Sequence, residues 1–426
     1  MTLCSVFMRW GFALAVMIAM ALLLTPWQGS ATTQLDGGKS AMNESLPGQP
    51  FRDWLEALRD EAHRDGISEA TLDAALKGIT PVKRVIELDR FQPEFTKTFW
   101  TYLRQHVNEE KIKRGRALLR KHSDLLNEIH AAYGIPPRYL ISLWGMETNF
   151  GDNLGSFRVI NALVTLAYDK RRAHHFRLQL LDALQIIEEG HISAALMKGS
   201  WAGAMGHMQF LPSTFIRYAV DYTGNGHKDI WGSLPDAFAS AANYLSNIGW
   251  RSEEIWGREV RLPEEFDLRS TKLNRKKTIE EWSALGVRRS DGLALSRVDM
   301  EGSILLPQGH KGPAFLVYNN FHAIMSWNRS INFAISVGHL ADRIVGFPKI
   351  AFGRQAEHEP LSRDEIEEIQ HLLNRHGFDA GAEDGLPGPI TSAGIRAFQD
   401  EFSLPPDGYP SLTVLQHLRA LSAPLD

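Results

Sequence analysis

Large apolar residues recur at helical spacing from Phe51 to Gly249, and this pattern constrains the fold more than any other feature of the chain. Trp54, Leu55 and Leu58 begin one apolar face. A second face is lined by Leu180, Leu184, Ile187 and Ile192. Residues three, four and seven positions apart share one side of a helix. The spacing therefore predicts a mainly α-helical chain.

The pattern changes between residues 250 and 318, where short runs of alternating apolar and polar residues are separated by Pro and Gly. The alternation is clearest at 259–262 and 303–306. Because alternation is typical of half-buried strands, we predict a small β-containing insert with one short helix near 279–285. Helical spacing returns over 330–345.

Residues 347–360 are rich in Pro and Gly and are interpreted as a linker. Residues 361–421 then predict a compact module of three helices, the first of which opens with a capping box formed by Ser362 and Glu365. An Asp-Gly turn precedes each of the last two helices, at Asp384-Gly385 and Asp407-Gly408. The echo indicates a pseudo-repeat without a catalytic constellation of its own.

The N-terminus has the pattern of a secretory signal peptide, predicted over residues 1–31. Arg9 precedes an apolar run, Phe12–Leu24, and small residues follow the run. The run is shorter than the roughly 20 residues that a membrane span needs, although an uncleaved anchor is the alternative. Residues 32–50 are interpreted as a flexible lead-in. We therefore predict export to the periplasm.

Cys4 is the only cysteine, and it lies before the apolar run. A mature chain cleaved after Ala31 would have no thiol, which excludes disulfides, thiolate nucleophiles and cysteine metal sites. A lipoprotein is excluded as well, because no cysteine follows the run. The net charge of -4 and the absence of a basic run argue against nucleic acid as a partner.

The segment Pro136 to Gly151 contains the candidate catalytic group, Glu147. Prolines can begin a helix here, and Leu140, Leu143, Trp144 and Glu147 then share one face. We expect apolar surroundings to raise the pKa of a carboxyl on such a face, so that it can act as an acid near neutral pH. The alternative is a structural ion pair with Arg171 or Arg172.

A second segment, residues 198–213, is rich in glycine yet contains large side chains. Glycine lets a backbone approach a ligand closely. Ser200 and Gln209 can form hydrogen bonds with sugar hydroxyl or acetamido groups, and Phe210 can stack on a sugar ring. An ordinary glycine-rich loop is the alternative interpretation.

Four segments in order resemble the B-type lytic murein transglycosylases, a family with a lysozyme-like fold. They are Gly145 to Gly151, Gly199 to Ser213, Asp221 to Asp236 and Trp327 to Phe333. The resemblance implies a lysozyme-like helical catalytic domain, which we place at residues 51–346, with Glu147 as its sole catalytic acid and base. It also implies a saccharide cleft lined by Arg172, Ser200, Gln209, Phe210, Trp327, Asn328 and Phe333. Some relatives have tyrosines where this chain has Trp327 and Phe333, so a hydrogen bond at Phe333 is lost.

The resemblance further implies that one carboxyl is enough, whereas ordinary glycosidases use two. Glu147 would protonate the oxygen between N-acetylmuramic acid and N-acetylglucosamine, then accept the proton of the muramoyl 6-hydroxyl as it closes on the anomeric carbon. The expected product is a 1,6-anhydromuramoyl end. A lysozyme-like hydrolase and a non-catalytic wall-binding protein are the competing functions.

The segment from Asp221 to Asp236 resembles the start of an EF-hand loop, with oxygen-bearing side chains at alternate positions and glycine at the sixth. The candidate calcium ligands are Asp221, Thr223, Asn225, His227 and Asp236. Gly232 occupies the twelfth position, where a bidentate glutamate is usual. The alternatives are therefore one weak structural Ca²⁺ site and a metal-free Asx-turn; the reaction itself requires no cofactor.

The final module resembles the small peptidoglycan-binding domain, through the run Asp384 to Thr391 and through Ile395, Phe398 and Gln399. This implies that the module holds the enzyme on its polymer, with a helical stabilising appendage as the alternative. The expected partners are peptidoglycan glycan strands and, in the cell envelope, proteins of wall synthesis or remodelling. We expect a monomer.

Overall fold

The computed structural model describes residues 50–90, 97–352 and 361–422. The predicted signal peptide, nearly all of the lead-in and much of the linker lie outside these residues. Within the described residues, no helix is long and apolar enough to cross a membrane. Helices dominate and strands are few, so the predicted mainly α fold is confirmed.

Between residue 50 and the predicted catalytic segment, the described residues form six helices: α1 (Phe51–Arg64), α2 (Glu69–Leu76), α3 (Lys83–Arg90), α4 (Phe99–His106), α5 (Glu109–Lys121) and α6 (Ser123–Tyr133). Polar side chains begin several of them. Asn108, for example, accepts a hydrogen bond from the backbone N–H of Lys111 at the start of α5. On α1, Trp54 and Leu58 are buried, which confirms the first predicted apolar face.

The central helix of the domain is α7 (Pro137–Thr148), which contains Glu147. Pro137 occupies its first turn, as predicted. The spacing predicted one apolar face, but every residue from Tyr139 to Met146 is buried. The reason is that helices pack around α7 on several sides; the hydroxyl of Ser142, for instance, donates to the carbonyl of Val337 at 2.6 Å.

The helices after α7 complete the main core: α8 (Val159–Tyr168), α9 (Ala173–Glu188), α10 (Pro212–Tyr218), α11 (Leu234–Asn247), α13 (Asn319–Trp327) and α14 (Ile331–Ile344). A short antiparallel pair, β1 (Phe157–Arg158) with β2 (Lys198–Gly199), joins the segment after α7 to the glycine-rich run. This pair was not predicted, because two-residue strands leave no alternating pattern in the sequence.

The predicted insert contains the strands β3 (Gly257–Arg261), β4 (Lys277–Thr278), β5 (Arg288–Arg289), β6 (Glu301–Leu305) and β7 (Ala314–Val317). They form a five-stranded sheet in the order β4-β6-β7-β3-β5, with antiparallel neighbours. The predicted short helix is α12 (Ile279–Ala284). The insert has its own small core, which includes the fully buried Trp282. The β-containing insert is therefore confirmed.

The C-terminal module consists of α15 (Arg363–Arg375), α16 (Pro389–Glu401) and α17 (Leu412–Ser422) around one apolar core. The predicted capping box of Ser362 and Glu365 is present.

The structure also explains the pseudo-repeat of the module. Gln370 on α15 accepts hydrogen bonds from the backbone N–H groups of Asp384 and Gly385. Gln399 on α16 accepts in the same way from Gly408 and donates to the side chain of Asp407. In each half, a buried glutamine thus holds the following Asp-Gly turn.

The module packs directly against the insert. Asp407 is buried there; it accepts from the backbone N–H of His310 at 2.9 Å and pairs with the imidazole Nδ1 of His310 at 2.6 Å. Arg269 donates through Nε to Asp400 at 2.8 Å. The linker prediction alone gave no indication of this docking, because these pairs are distant in sequence.

Candidate active site

Glu147 lies in the last turn of α7, with its side chain half-buried. The indole Nε1–H of Trp327 donates a hydrogen bond to Oε1 of Glu147 at 2.8 Å. Trp327 is the last residue of α13 and is 180 positions away in sequence. The fold thus unites two of the four segments on which the family resemblance rests.

A cluster of aromatic rings surrounds this hydrogen bond. The ring centroid of Trp327 lies 5.4 Å from that of Phe210 and 5.1 Å from that of Tyr244. Tyr244 stacks on Tyr218 at 4.7 Å, and its hydroxyl donates to the carbonyl of Ser326 at 3.1 Å. Tyr218 and Tyr244 were not predicted to belong to the site, because they lie on separate helices and form no motif.

Phe210 and Phe333, both predicted to line the saccharide cleft, are buried in this structure. Phe210 is 2% exposed and Phe333 is 4% exposed. The ring of Phe210 makes an edge contact with Trp327. Phe333 packs in the main core. Since neither ring has a free face here, stacking of Phe210 on a sugar remains a prediction that requires the ring to be uncovered.

The glycine-rich run folds into tight turns through Ser200 and Gln209. The Ser200 hydroxyl oxygen accepts hydrogen bonds from the backbone N–H groups of Ala202 and Ala204, at 3.3 and 3.0 Å. Gln209, which has a positive φ of 49°, donates its side-chain amide to the carbonyl of Gly206 at 2.9 Å. In this conformation, both predicted sugar-binding side chains therefore hold the loop together.

Glycine is required where this run meets the segment after α7. A Cβ atom on Gly155 would lie 2.1 Å from the carbonyl of Gly199, and one on Gly199 would lie 2.1 Å from the carbonyl of Ala204. Both distances are far below van der Waals contact. The glycines were predicted to let the backbone approach a ligand closely. In the structure they let two segments of the protein's own backbone approach each other.

The end of α7 is a left-handed turn that is held from the side. Asn149 and Phe150 have positive φ values of 51° and 61°. Asp152 accepts a hydrogen bond from Asn149 at 2.9 Å and forms an ion pair with Arg114 of α5. The hydrogen bond from Arg114 lowers the pKa of Asp152. Asp152 therefore anchors the turn through Arg114 and Asn149.

Arg171 and Arg172, offered as structural partners of Glu147, both pair with Asp89. Asp89 is 2% exposed and lies in the last turn of α3. The guanidinium of Arg172 also lies over the ring of Phe176 at 4.8 Å. Both arginines are thus held by the edge of α3, and contact between Arg172 and a saccharide remains a prediction.

Asn328 follows Trp327 directly and is the C-cap of α13, with a half-buried side chain. Its backbone N–H donates to the carbonyl of Ile324 at 3.1 Å. This position places Asn328 beside the Glu147–Trp327 pair along the chain. Its predicted contact with saccharide stays a prediction.

Comparisons with known proteins assign both parts of the chain. Residues 50–342 match the model of the transglycosylase SLT domain, and residues 362–418 match that of a putative peptidoglycan-binding domain. The chain belongs to the SLT transglycosylase family. The family resemblance, the enzyme class and the lytic transglycosylase function are therefore confirmed at the level of the family.

Individual relatives agree with this assignment. The chain is 30% identical over 250 residues to the membrane-bound lytic murein transglycosylase B of Escherichia coli (strain K12). The aligned region is 57% of this chain and 66% of that protein. SltB3 from Pseudomonas aeruginosa, solved in complex with NAG-anhNAM-pentapeptide, is 44% identical. The superposition covers 87% of this chain and 100% of the SltB3 chain, with a TM-score of 0.84. An E. coli lytic transglycosylase solved with calcium is 26% identical, covers 71% of this chain and 95% of its own, and gives a TM-score of 0.59.

In the chain described here, the predicted calcium loop is closed around Asp221. Its Oδ1 accepts hydrogen bonds from the backbone N–H groups of Gly224 and Asn225 at 2.8 and 3.1 Å, and its Oδ2 accepts from Gly226 at 2.7 Å. The side chain of Asn225 accepts from the backbone N–H of His227 at 2.9 Å. These are the bonds of an Asx-turn, so they can form without a metal.

Asp236 closes the loop from the other side. It is 0% exposed and accepts hydrogen bonds from the backbone N–H groups of Tyr222, Thr223 and Asp229, at 3.1, 3.2 and 3.0 Å. The described residues contain no group of three His, Cys, Asp or Glu side chains that could hold a metal ion. A cation in this loop would therefore depend on two carboxylates and on neutral oxygens.

Proposed function

We propose that this transglycosylase cleaves the β-1,4 bond between N-acetylmuramic acid and N-acetylglucosamine in peptidoglycan, with Glu147 as its only proton-transfer group. The observation that carries the proposal is the half-buried Glu147 carboxyl, fixed by Trp327 at the end of the central helix. The hydrogen bond holds the carboxyl in one orientation, and the side chain is only half-buried, which suits a group that exchanges a proton with a substrate.

The proposed reaction has two proton transfers. Glu147 protonates the glycosidic oxygen as the bond to the muramoyl anomeric carbon breaks, and N-acetylglucosamine leaves as an alcohol. The muramoyl 6-hydroxyl oxygen then bonds to the anomeric carbon, and its proton returns to Glu147. The intramolecular hydroxyl acts at high effective concentration, so no water enters the balance.

A hydrolase of the same fold is the alternative, and it would need a base or nucleophile to direct water. The nearest acidic residue along the chain, Asp152, is an unfavourable choice, because it is engaged by Arg114 and Asn149. This arrangement supports the mechanism with one carboxyl. It also argues against a non-catalytic wall-binding protein, since Glu147 is retained and positioned.

Product analysis tests the proposed reaction. Purified sacculi are digested with the full-length protein, and the released muropeptides are identified by mass spectrometry before and after borohydride reduction. We expect anhydro ends, which are lighter than hydrolytic ends by one water and resist reduction. Reducing ends alone would establish the hydrolase, and an unchanged polymer would favour the wall-binding protein.

We propose that Arg172, Ser200, Gln209, Asn328 and the aromatic cluster around Trp327 contact the glycan. Supporting this, the Trp327 ring lies beside Glu147, and Asn328 is its neighbour in the chain. The side chains of Ser200 and Gln209 hold the turns of the glycine-rich run, and in this proposal the same two residues also contact the sugar. SltB3 has been solved with NAG-NAM-pentapeptide and with NAG-anhNAM-pentapeptide, and these ligands correspond to the unreacted saccharide and to the anhydro product proposed here.

We propose that the Asp221 to Asp236 loop binds one Ca²⁺ weakly and that this ion is structural. The loop is preformed, and two carboxylates converge on it. The remaining ligands would be the side-chain oxygens of Thr223 and Asn225 and the backbone carbonyl oxygen of His227. Calcium sites with few charged ligands fall in the range of about 10⁻⁴ to 10⁻³ M. The ion would tighten the loop and take no part in proton transfer.

Calcium at 10 mM is expected to raise the melting temperature by roughly 2 to 6 °C, because binding at these affinities stabilises the fold by about 1 to 3 kcal/mol. Differential scanning calorimetry in Ca²⁺, in Mg²⁺ and in chelator measures the increment. Asp221→Asn is the matched control, since its side-chain carbonyl still accepts backbone hydrogen bonds while the charge is gone. Equal increments in the wild type and this variant, or none in either, would refute the site.

We propose that the protein is exported and works in the periplasm as a monomer, with the C-terminal module bound to peptidoglycan. The predicted leader and the relatives that act on murein support this localisation. The family match of residues 362–418 supports the role of the module. Proteins of wall synthesis or remodelling remain proposed partners.

A further inference from the structure

The donor to Glu147 is an indole N–H, and this limits where the carboxyl can hold its proton. The Nε1–H of Trp327 lies 2.8 Å from Oε1. An indole nitrogen donates a hydrogen bond but cannot accept one. Oε1 must therefore remain an acceptor both when Glu147 is ionised and when it is protonated. A protonated carboxyl oxygen is a poorer acceptor than the carbonyl oxygen beside it, so the indole donor disfavours a proton on Oε1.

The Trp327 ring is held so that it cannot readily turn away. Phe210 meets it edge-on at 5.4 Å, and Tyr244 lies against it at 5.1 Å. The Tyr244 hydroxyl is bonded to the carbonyl of Ser326, the residue before Trp327. Because these contacts restrain both the ring and the backbone, the hydrogen bond to Oε1 persists between the two proton transfers.

We propose that Trp327 is a positioning residue that reserves Oε1 of Glu147 and thereby confines the catalytic proton to Oε2. The same oxygen then donates to the glycosidic oxygen and accepts from the 6-hydroxyl. This inference rests on the proposed mechanism with a single carboxyl. A tyrosine at this position would act differently, since a hydroxyl both donates and accepts and would permit a proton on either oxygen.

The pH dependence of the rate distinguishes this role from simple packing. A hydrogen bond to a carboxylate favours its charged form. Without the indole donor, Glu147 would keep its proton to higher pH, so the basic limb of the kcat profile should move up by about one pH unit. Loss of this hydrogen bond would also orient the carboxyl less well, and kcat should fall about tenfold to hundredfold.

The experiment compares Trp327→Phe, which keeps an apolar ring but has no donor, with Trp327→Tyr, which restores a donor. Trp282→Phe is the matched control, because Trp282 is fully buried in the insert and donates its indole N–H to the carbonyl of Gly302 at 2.9 Å. Turnover of solubilised glycan strands is measured across pH for all variants of the full chain, together with melting temperatures.

We expect the basic limb to rise in Trp327→Phe, to return toward the wild-type position in Trp327→Tyr, and to stay unchanged in Trp282→Phe. A lower kcat in Trp327→Phe with an unmoved limb would overturn the proposal, as would the same limb shift in Trp282→Phe. The product assay separates failure of this inference from failure of the proposed function. If the reaction itself is misassigned, wild-type digests contain reducing ends whatever the Trp327 variants do.

Discussion

Replacement of Glu147 by glutamine is expected to reduce turnover of peptidoglycan by at least about a thousandfold, because an amide can neither supply nor take up the catalytic proton. The variant preserves the shape of the side chain. Its amide oxygen still accepts the hydrogen bond that Trp327 donates to Oε1. Folding should therefore be intact, and the loss should appear in kcat measured by release of anhydro muropeptides.

The matched control for this prediction is Glu128→Gln, which removes an exposed carboxyl from the neighbouring helix α6. Its activity and melting temperature should equal those of the wild type. Near-normal turnover by Glu147→Gln would remove this residue from the mechanism. A collapsed melting temperature would instead mean that the carboxyl is structural.

Asp236→Ala is expected to lower the free energy of unfolding by about 3 to 5 kcal/mol, the largest stability effect predicted for the loop. The alanine leaves the backbone N–H groups of Tyr222, Thr223 and Asp229 without the acceptor they now share. Asp236 is fully buried, so water cannot easily replace that acceptor. Urea unfolding in the presence of chelator measures the loss without any contribution from calcium.

Asp236→Asn serves as the control, because its carbonyl oxygen can still accept from Tyr222 and Thr223. Its loss should be about half that of the alanine variant, while any response to calcium should disappear. If Asp236→Ala loses less than about 1 kcal/mol in chelator, then the carboxylate does not organise the loop through these bonds, and its role would be confined to metal binding.

The sequence predicted the elements whose signals are local. The first turn of α7 follows from its prolines, and the first helix of the C-terminal module follows from the capping box at Ser362. The Asx-turn at Asp221 was also legible, since an aspartate followed by glycines favours such a turn. The position of Glu147 was predicted from its motif and from the family resemblance.

Long-range contacts could not be predicted in the same way. Tyr244 belongs to the aromatic cluster because α11 packs beside α13, and the sequence of neither helix contains a pattern that predicts this contact. The pairing of Arg172 with Asp89 and the docking of Asp407 on His310 likewise join residues that are far apart in sequence. Such contacts depend on how helices and sheet pack, which spacing alone does not specify.

The turn that ends α7 has a consequence for how the enzyme becomes active. A phenylalanine with positive φ costs about 1 to 2 kcal/mol, and Phe150 adopts this conformation directly beyond the catalytic helix. The cost is met by burial of its ring against Gly145, where even a methyl group would lie 2.7 Å from the ring. An incompletely folded chain lacks that burial and would release the turn. The turn beyond Glu147 is therefore stabilised by packing between distant parts of the core, and it depends on that packing being complete.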